Sequence, residues 1–416
     1  MDGSHIAEIP GSSARRWPAR ASRVPFWVYT DEAIYTRELE RIFDGPHWSY
    51  LGMEAEIPQV GDYRLTGVGE RSIIMVRSDD DTITAFENKC AHRGARFCRH
   101  KRGNATEFAC PYHQWVYTLE GELQGVPFRR GVKRKGGMPR DFDPASNGLR
   151  KLRIAREGGL VFGTFSEATP DFRDYLGPRM WEHFSRVYNG RELKVLGYNR
   201  QHIPANWKLM MENIKDSYHP GLLHAFFSTF GLFRADQESA VEMDDIGRHG
   251  ILISRKGEKE ANEVSSSIRS FDAELELEDE RMLDYDHEWP TPQTVGMITV
   301  FPSVILQQQV NSISTRQILP RGADGFDFIW THIGYADDTP EMTERRLRQA
   351  NLFGPAGLVS ADDGEIIEFS QEAFASAPEG ESLIEMGGHD IGNTDYMITE
   401  TAIRGMYAYY REVMGL

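Results

Sequence analysis

The chain has 416 residues, of which 40% are hydrophobic and 26% are charged, and its formal net charge is −16. This length suffices for two domains, and the composition is that of an ordinary globular protein. The acidic balance argues against nucleic acid as a partner, and the absence of a long apolar run argues against a membrane span.

Cysteine is scarce, and the N-terminus lacks the charged-then-apolar pattern of a secretion signal. The three cysteines are Cys90, Cys98 and Cys110. An odd, low count fits a reducing environment, where cysteines are more often ligands than disulfides. We therefore expect a cytoplasmic protein.

The first half of the chain predicts a tail, a helix and a β-rich unit. Residues 1–24 are rich in small residues, Arg and Pro and predict a flexible tail. Within 25–46, Thr30 or Asp31 caps a helix expected to pack on the following larger domain. Residues 47–165 alternate short apolar strands with Gly or Asp turns, which predicts a small all-β domain. Its basic loop from Arg129 to Arg140 is either a solvated loop or a docking surface for an acidic redox partner or a neighbouring subunit.

Residues 166–416 predict a larger domain of mixed character. A helix from Asn206 to about Phe230 is expected to break at Pro220-Gly221, because proline lacks a backbone donor and glycine frees the dihedrals. Four strands then follow one another through short turns, which predicts an antiparallel sheet. These strands are Val295–Phe301, Val304–Val310, Ser312–Leu319 and Phe326–Tyr335. With further helices at Met180–Tyr188, Thr343–Leu352 and Ile398–Met414, the predicted fold class is α+β.

Two short segments of the β-rich unit pair a thiol with an imidazole: Cys90-Ala-His92 and Cys110-Pro-Tyr-His113. Such a set could hold zinc. It also matches a Rieske [2Fe–2S] cluster, in which two Cys bind one iron and two His the other. Cys-x-His spacing is unusual for zinc and the surroundings are strand-rich, so the cluster is favoured. Cys98 fits neither half and is interpreted as a non-ligand.

A second constellation lies between Met211 and His224, where Asp216, His219 and His224 fall within nine residues. Two converging His and one carboxylate form the facial triad that holds Fe(II) with open positions for O₂. A downstream carboxylate could complete it at Asp362 or Asp363. From spacing alone these two are better interpreted as helix caps.

Together the two constellations resemble the large (α) subunit of Rieske non-haem iron aromatic-ring-hydroxylating oxygenases, from about Val24 to Leu416. The resemblance rests on the two Cys/His motifs, on Asn206-Trp-Lys, and on the segment from Glu212 to His224. One departure is Gln114, where the family usually has Gly. The resemblance implies that Asp363 is the third iron ligand, that Asp216 bridges electrons between subunits, and that Asn213 supports the ligands.

The resemblance also implies partners. Such subunits form head-to-tail trimers, commonly with a small β subunit as α3β3, and the cluster of one subunit lies near the iron of its neighbour. Electrons come from NADH through a separate reductase and ferredoxin; this chain has no Gly-rich dinucleotide fingerprint following a clear strand.

Four further segments carry a closer resemblance: Val24–Thr30, Gly136–Pro139, Gln307–Asn311 and Thr399–Gly405. They are similar to large subunits of oxygenases of aromatic acids, namely salicylate 5-hydroxylase, anthranilate dioxygenase and terephthalate dioxygenase. A carboxylate in an apolar pocket needs a cation, and Arg316 is the candidate, with a salt bridge inside the sheet as its alternative. Met397 stands where terephthalate-type relatives have a second arginine, which disfavours a dicarboxylate. Phe328, Trp330 and His332 share a strand face that either lines the pocket or packs in the core.

The leading hypothesis is therefore ring hydroxylation of salicylate to gentisate. The enzyme alternative is dioxygenation of anthranilate to catechol, or of another substituted benzoate. The non-enzyme alternative is a Rieske-type electron carrier or a zinc-binding protein, which predicts no iron at the second site.

Overall fold

The computed structural model describes residues 17–18, 20–188, 190–256 and 263–416. Most of the predicted flexible tail, residues 1–16 and residue 19, lies outside them. The rest of that tail is ordered, because Trp17 is buried against Trp27 and Tyr407. Its last residues begin a strand, β1 (Arg23–Pro25).

Two short helices follow, α1 (Trp27–Thr30) and α2 (Glu32–Glu38), and the second continues as a wider turn over Leu39–Phe43. The Asp31 carboxylate accepts the backbone N–H of Ala33, at 2.8 Å, and so caps α2 as predicted.

Short strands make up the next part of the chain. They are β2 (Ser49–Met53), β3 (Asp62–Val68), β4 (Arg71–Asp79), β5 (Thr82–Glu87), β6 (Arg102–Asn104), β7 (Phe108–Ala109), β8 (Val116–Tyr117), β9 (Leu123–Gly125), β10 (Arg153–Glu157) and β11 (Leu160–Thr164). They form three antiparallel sheets, in the orders β5-β4-β3-β6, β7-β8-β9 and β10-β11-β2. The two Cys/His segments are the loops after β5 and between β7 and β8.

The larger unit contains a long antiparallel sheet with helices. Its elements are α3 (Phe172–Tyr188), β12 (Leu193–Ile203), α4 (Trp207–Lys215), α5 (Pro220–Leu223), α6 (Ala225–Thr229), β13 (Ser239–Met243), β14 (Gly250–Ser254), α7 (Glu263–Ser266), β15 (Val295–Val300), β16 (Val304–Gln309), β17 (Ser312–Pro320), β18 (Phe326–Tyr335), α8 (Pro340–Phe353), α9 (Leu358–Ser376), β19 (Glu381–Leu383) and α10 (Thr401–Met414). The mixed α+β class is therefore as predicted.

Seven strands form the main sheet in the order β12-β18-β17-β16-β15-β14-β13, and β19 pairs with β1. The four strands predicted as an antiparallel run are adjacent in it. Helix α4 lies against β14, β15 and β17 on one side and against α9 on the other. This packing brings three distant parts of the chain together around α4. No described helix is long and apolar enough to cross a membrane.

A buried ion pair ties the N-terminal helices to this unit. Lys208 on α4 donates from Nζ to Oε1 of Glu38 at 2.6 Å, and Trp207 donates from Nε1 to Oε2 at 2.8 Å. Tyr410 of α10 donates to the same carboxylate. Because all four side chains are buried, removing one partner would leave another uncompensated. The expected packing of 25–46 on the larger domain thus has a specific polar anchor.

Candidate active site

The helix that carries the site breaks earlier than predicted. Helix α4 ends at Lys215, and Asp216 adopts φ −75° and ψ 101°. Its Oδ1 accepts the backbone N–H of Tyr218 and His219, at 3.2 and 3.1 Å, and this local turn competes with the helix. Pro220 does not kink a continuous helix but begins α5, where its missing N–H costs nothing. The prediction that the helix continues unbroken to Pro220 is therefore wrong; a tight turn brings Asp216 and His219 together.

Two imidazoles and one carboxylate converge beyond this turn. The Nε2 atoms of His219 and His224 each lie 3.3 Å from Oδ1 of Asp363 on α9. The possible ligand atoms of the three residues all lie within 4.8 Å of one another. Asp363 and His224 are buried, which suits a site that excludes bulk water. This donor set and its facial arrangement fit Fe(II).

Each imidazole is oriented by a contact on its other nitrogen. Nδ1 of His219 lies 2.9 Å from the backbone carbonyl of Asp216, and Nδ1 of His224 lies 3.1 Å from Oδ2 of Asp362. Each Nδ1–H can therefore donate, which leaves Nε2 with a lone pair aimed at the centre. Asp362, which the sequence offered only as an alternative ligand or cap, has an orienting position instead.

The charges at this site favour a bound cation. Burial alone would lower the pKa of His219, but hydrogen bonds and charge interactions with Asp216 and Asp363 raise it to about 10. Burial would raise the pKa of Asp363, and the two histidines instead hold it well below its usual range. The Asp363 carboxyl is therefore deprotonated, the form in which a carboxylate binds a metal ion. Asn213 adds an N–H donor to Asp363 Oδ1 at 3.2 Å, which places it beside the ligands as predicted.

Arg316 lines a cavity of about 30 Å³ together with the three ligands and apolar side chains from α6, β14 and β15. It is 4% exposed, and its side chain has no hydrogen bond or ion pair among the described residues. The interpretation as a salt bridge within the sheet is therefore wrong. Its guanidinium lies 4.0 Å from the centroid of the Trp330 ring, which is a cation–π contact. Burial lowers the pKa of Arg316 to about 9, while Asp363 raises it. The pocket thus holds a buried cation to which no described residue supplies a hydrogen-bonded anion.

The first Cys/His constellation lies at two neighbouring loop tips. The rings of His92 and His113 are 4.5 Å apart, and both cysteine thiols are buried beneath them. Within the described ranges, the buried Nδ1 of His113 has no hydrogen-bond partner, as expected of an atom that binds a metal. Tyr117 Oη lies 3.2 Å from Sγ of Cys90 and would support its sulfur. This donor set fits a [2Fe–2S] cluster.

Cys98 and Gln114 are close in sequence to the candidate cluster ligands. The thiol of Cys98 faces the carbonyl of His100, at 3.6 Å, rather than the loop tips. Gln114 has φ 55°, a left-handed conformation that costs a non-glycine residue about 1–2 kcal/mol. The Gly usual at this position would avoid that cost, so the departure affects backbone energy rather than ligation.

Comparison with known proteins agrees with this geometry. Residues 190–416 match the family model for the ring hydroxylating alpha subunit (catalytic domain), and residues 47–135 match the Rieske [2Fe-2S] domain. The chain is 58% identical to the large oxygenase component of salicylate 5-hydroxylase from Ralstonia sp., over 96% of each chain. It is 45% identical to a terephthalate 1,2-dioxygenase alpha subunit from Comamonas sp., over 95% of this chain and 96% of the other. It is 44% identical to the anthranilate 1,2-dioxygenase large subunit from Burkholderia cepacia, over 95% and 94%.

Solved structures agree on the fold. A naphthalene 1,2-dioxygenase with bound indole superposes with a TM-score of 0.78 at 22% identity, covering 96% of this chain and 93% of the other. A quaternary ammonium Rieske monooxygenase gives a TM-score of 0.72 at 18% identity, with 94% of each chain covered. With its Rieske domain, its catalytic domain and its two sets of metal-binding side chains, the chain belongs to the ring-hydroxylating oxygenase alpha subunits, Rieske non-haem iron enzymes with a [2Fe–2S] cluster and a mononuclear iron.

Proposed function

We propose that this chain is the terminal oxygenase subunit that hydroxylates the ring of salicylate to give gentisate. The observation that supports it most is Arg316, a buried guanidinium beside the residues proposed to bind iron, which has no hydrogen-bond or ion-pair partner in the described part of the chain. An unpaired buried charge is costly, and a carboxylate ligand would relieve that cost. The planar fork of Arg suits the two oxygens of an aromatic acid better than any other side chain.

The named relatives narrow the choice of substrate among aromatic acids. The relatives named for salicylate, terephthalate and anthranilate all act on aromatic acids, and the one named for salicylate is more similar to this chain than the other two. Met397, where terephthalate-type relatives have a second arginine, is 1% exposed and offers no cation for a second carboxylate. A monocarboxylate with a small second substituent fits best, and anthranilate is the second candidate.

The two proposed ligand sets have different roles in the reaction. Cys90, His92, Cys110 and His113 would hold the cluster; His219, His224 and Asp363 would hold the iron, with Asn213 supporting Asp363 and Asp362 orienting His224. When bound, the metal groups supply electron transfer and O₂ activation. The side chains do the rest: Arg316 fixes the carboxylate and thereby the ring position that faces the ligands. Phe227, Leu252 and Met297 give the pocket an apolar wall.

The pocket must widen for the substrate to enter. Its volume of about 30 Å³ lies far below the roughly 300–1,000 Å³ of ligand pockets, so an aromatic acid displaces side chains as it binds. Val359 and His224 separate this pocket from an outer cleft of about 420 Å³ lined by Phe226 and Phe230. We place the substrate path through this cleft.

As the large component of a multicomponent oxygenase, the chain works with partner subunits and redox proteins. We propose a head-to-tail trimer of this chain, with a small β subunit as α3β3, in which Asp216 links the sites of two neighbours. The side chain of Asp216 is 22% exposed and lies 3.7 Å from His219 Nδ1, so it can face both its own iron ligand and a neighbour's imidazole. The loop tips with His92 and His113 are at the surface, beside the exposed Tyr112, as such docking requires. NADH would supply electrons through a reductase and a ferredoxin, for which the exposed basic loop from Arg129 to Arg140 is a candidate docking surface.

Product analysis tests the proposal. The metal-loaded oxygenase with a matched reductase and ferredoxin should convert salicylate to gentisate in an O₂- and NADH-dependent reaction. Catechol from anthranilate, with no gentisate from salicylate, would reverse the ranking of the two substrates.

A further inference from the structure

On three neighbouring strands of the main sheet, five buried polar atoms have no hydrogen-bond partner among the residues that the structure describes. They are Oε1 of Gln307, Oγ of Ser314, Nε of Arg316, Nε1 of Trp330 and Nδ1 of His332. None of these residues is more than 6% exposed. Buried polar atoms are normally paired, so a cluster of unpaired ones indicates a bound polar ligand or ordered water.

The strand register sorts these atoms into two rows. Gln307, Ser314 and His332 are direct cross-strand partners, from β16 to β17 to β18. Two residues further along β17, Arg316 is the partner of Trp330. Directly paired residues of antiparallel strands share a face, as do residues two apart, so all five are on one side of the sheet. Since Arg316 lines the pocket beside the iron ligands, this is the pocket side.

The chemistry of the two rows differs. Arg316 Nε–H and Trp330 Nε1–H can only donate, and they form a donor row. In the other row, Gln307 Oε1 accepts and the Ser314 hydroxyl can accept. His332 Nε2 lies 2.6 Å from the amide oxygen of Asn199, which only accepts, so Nε2 carries the hydrogen and Nδ1 the lone pair. Burial, with the charge of Arg316, lowers the pKa of His332 to about 4, so it stays neutral and remains an acceptor.

We infer that the acceptor row of Gln307, Ser314 and His332 binds a hydroxyl or amino group ortho to the carboxylate of the substrate. The inference rests on the proposed function, in which Arg316 binds the carboxylate. A donor row beside an acceptor row is the complement of an acid whose neighbouring ring carbon carries an O–H or N–H. It favours the binding of acids that carry this donor over the same acids when that hydrogen is absent.

Binding of three acids to the metal-loaded oxygenase tests this. Salicylate carries the donor, benzoate lacks the substituent, and 2-methoxybenzoate has the oxygen without its hydrogen. We expect the wild type to favour salicylate over both by about three- to tenfold, the range of a single buried hydrogen bond. Ser314→Ala and, independently, His332→Phe should reduce that ratio toward one. Thr315→Val is the matched control, since this hydroxyl lies on the opposite face and bonds Tyr50 instead, so the ratio should not change.

The ratio of affinities within one variant is insensitive to how much of that variant folds. An unchanged affinity ratio in both Ser314→Ala and His332→Phe overturns the inference. That result is expected if ordered water alone fills the acceptor row. Equal binding of salicylate and benzoate by the wild type also overturns it but leaves the aromatic-acid proposal standing. Failure to bind any of the three acids overturns both.

Discussion

Replacing Arg316 by methionine should weaken substrate binding and stabilise the substrate-free protein at the same time. Methionine keeps most of the length of the side chain and removes the charge. Truncating one partner of a buried hydrogen-bonded charge pair costs about 2–5 kcal/mol, so affinity for salicylate should fall roughly 30- to 5,000-fold.

The stability gain follows from the same burial. Because the folded protein lowers the pKa of Arg316 to about 9, the cost of holding its charge is fully present below that pH. The cost fades as the pH rises toward the ordinary pKa of the guanidinium. At neutral pH, removing an unpaired buried charge should stabilise the fold by about 1–4 kcal/mol.

Arg346→Met is the matched control. Arg346 is equally buried, but its guanidinium lies 2.6 Å from Glu288 and 2.8 Å from Asp338. Its loss should destabilise by about 3–5 kcal/mol, because two carboxylates are left unpaired. Thermal melts compare the stability of the two variants, and salicylate titrations compare their affinity. If Arg316→Met melts as low as Arg346→Met, or still binds salicylate like the wild type, Arg316 is a structural residue and our reasoning is refuted.

Further predictions concern the metal site and its helix. His219→Ala should lose the mononuclear iron and keep the visible spectrum of the cluster; equal iron per chain in both proteins would remove His219 from the ligand set. Asp362→Asn should weaken iron binding about 10- to 100-fold through His224, measured by competition with a chelator; unchanged affinity would leave Asp362 without an orienting role. Asp216→Ala should keep both metal groups yet lose most turnover, and full turnover would exclude the bridge. Burial raises the pKa of Glu212 from about 4.5 to about 7, so stability should fall as the pH rises between these values. Melts of Glu212→Gln should lack that fall, and an unaltered slope would contradict it.

Ligands close in sequence could be predicted, because loops fix them locally. Short spacing was enough to propose two pairs of candidate ligands, Cys90 with His92 and Cys110 with His113. The same holds for His219 and His224. Asp363 could not be chosen over Asp362 by spacing, since both occupy the same helix and only the fold decides which one faces the imidazoles.

Features that depend on several strands were beyond the sequence. Strand alternation predicted the shared face of Phe328, Trp330 and His332, whose side chains are all buried, with the Trp330 ring against the Arg316 guanidinium. The sequence could not show that the Arg316 guanidinium lacks a hydrogen-bond partner among the described residues. That depends on which side chains the neighbouring strands and α4 place around it. The break at Asp216 was misplaced because a side-chain turn, not the proline, ends the helix.

The most direct test of the account is a crystal structure of the metal-loaded oxygenase with salicylate bound. We predict the carboxylate within hydrogen-bond distance of the Arg316 guanidinium and the ring beside an iron held by His219, His224 and Asp363. A carboxylate bound elsewhere, with Arg316 still unpaired, would contradict it.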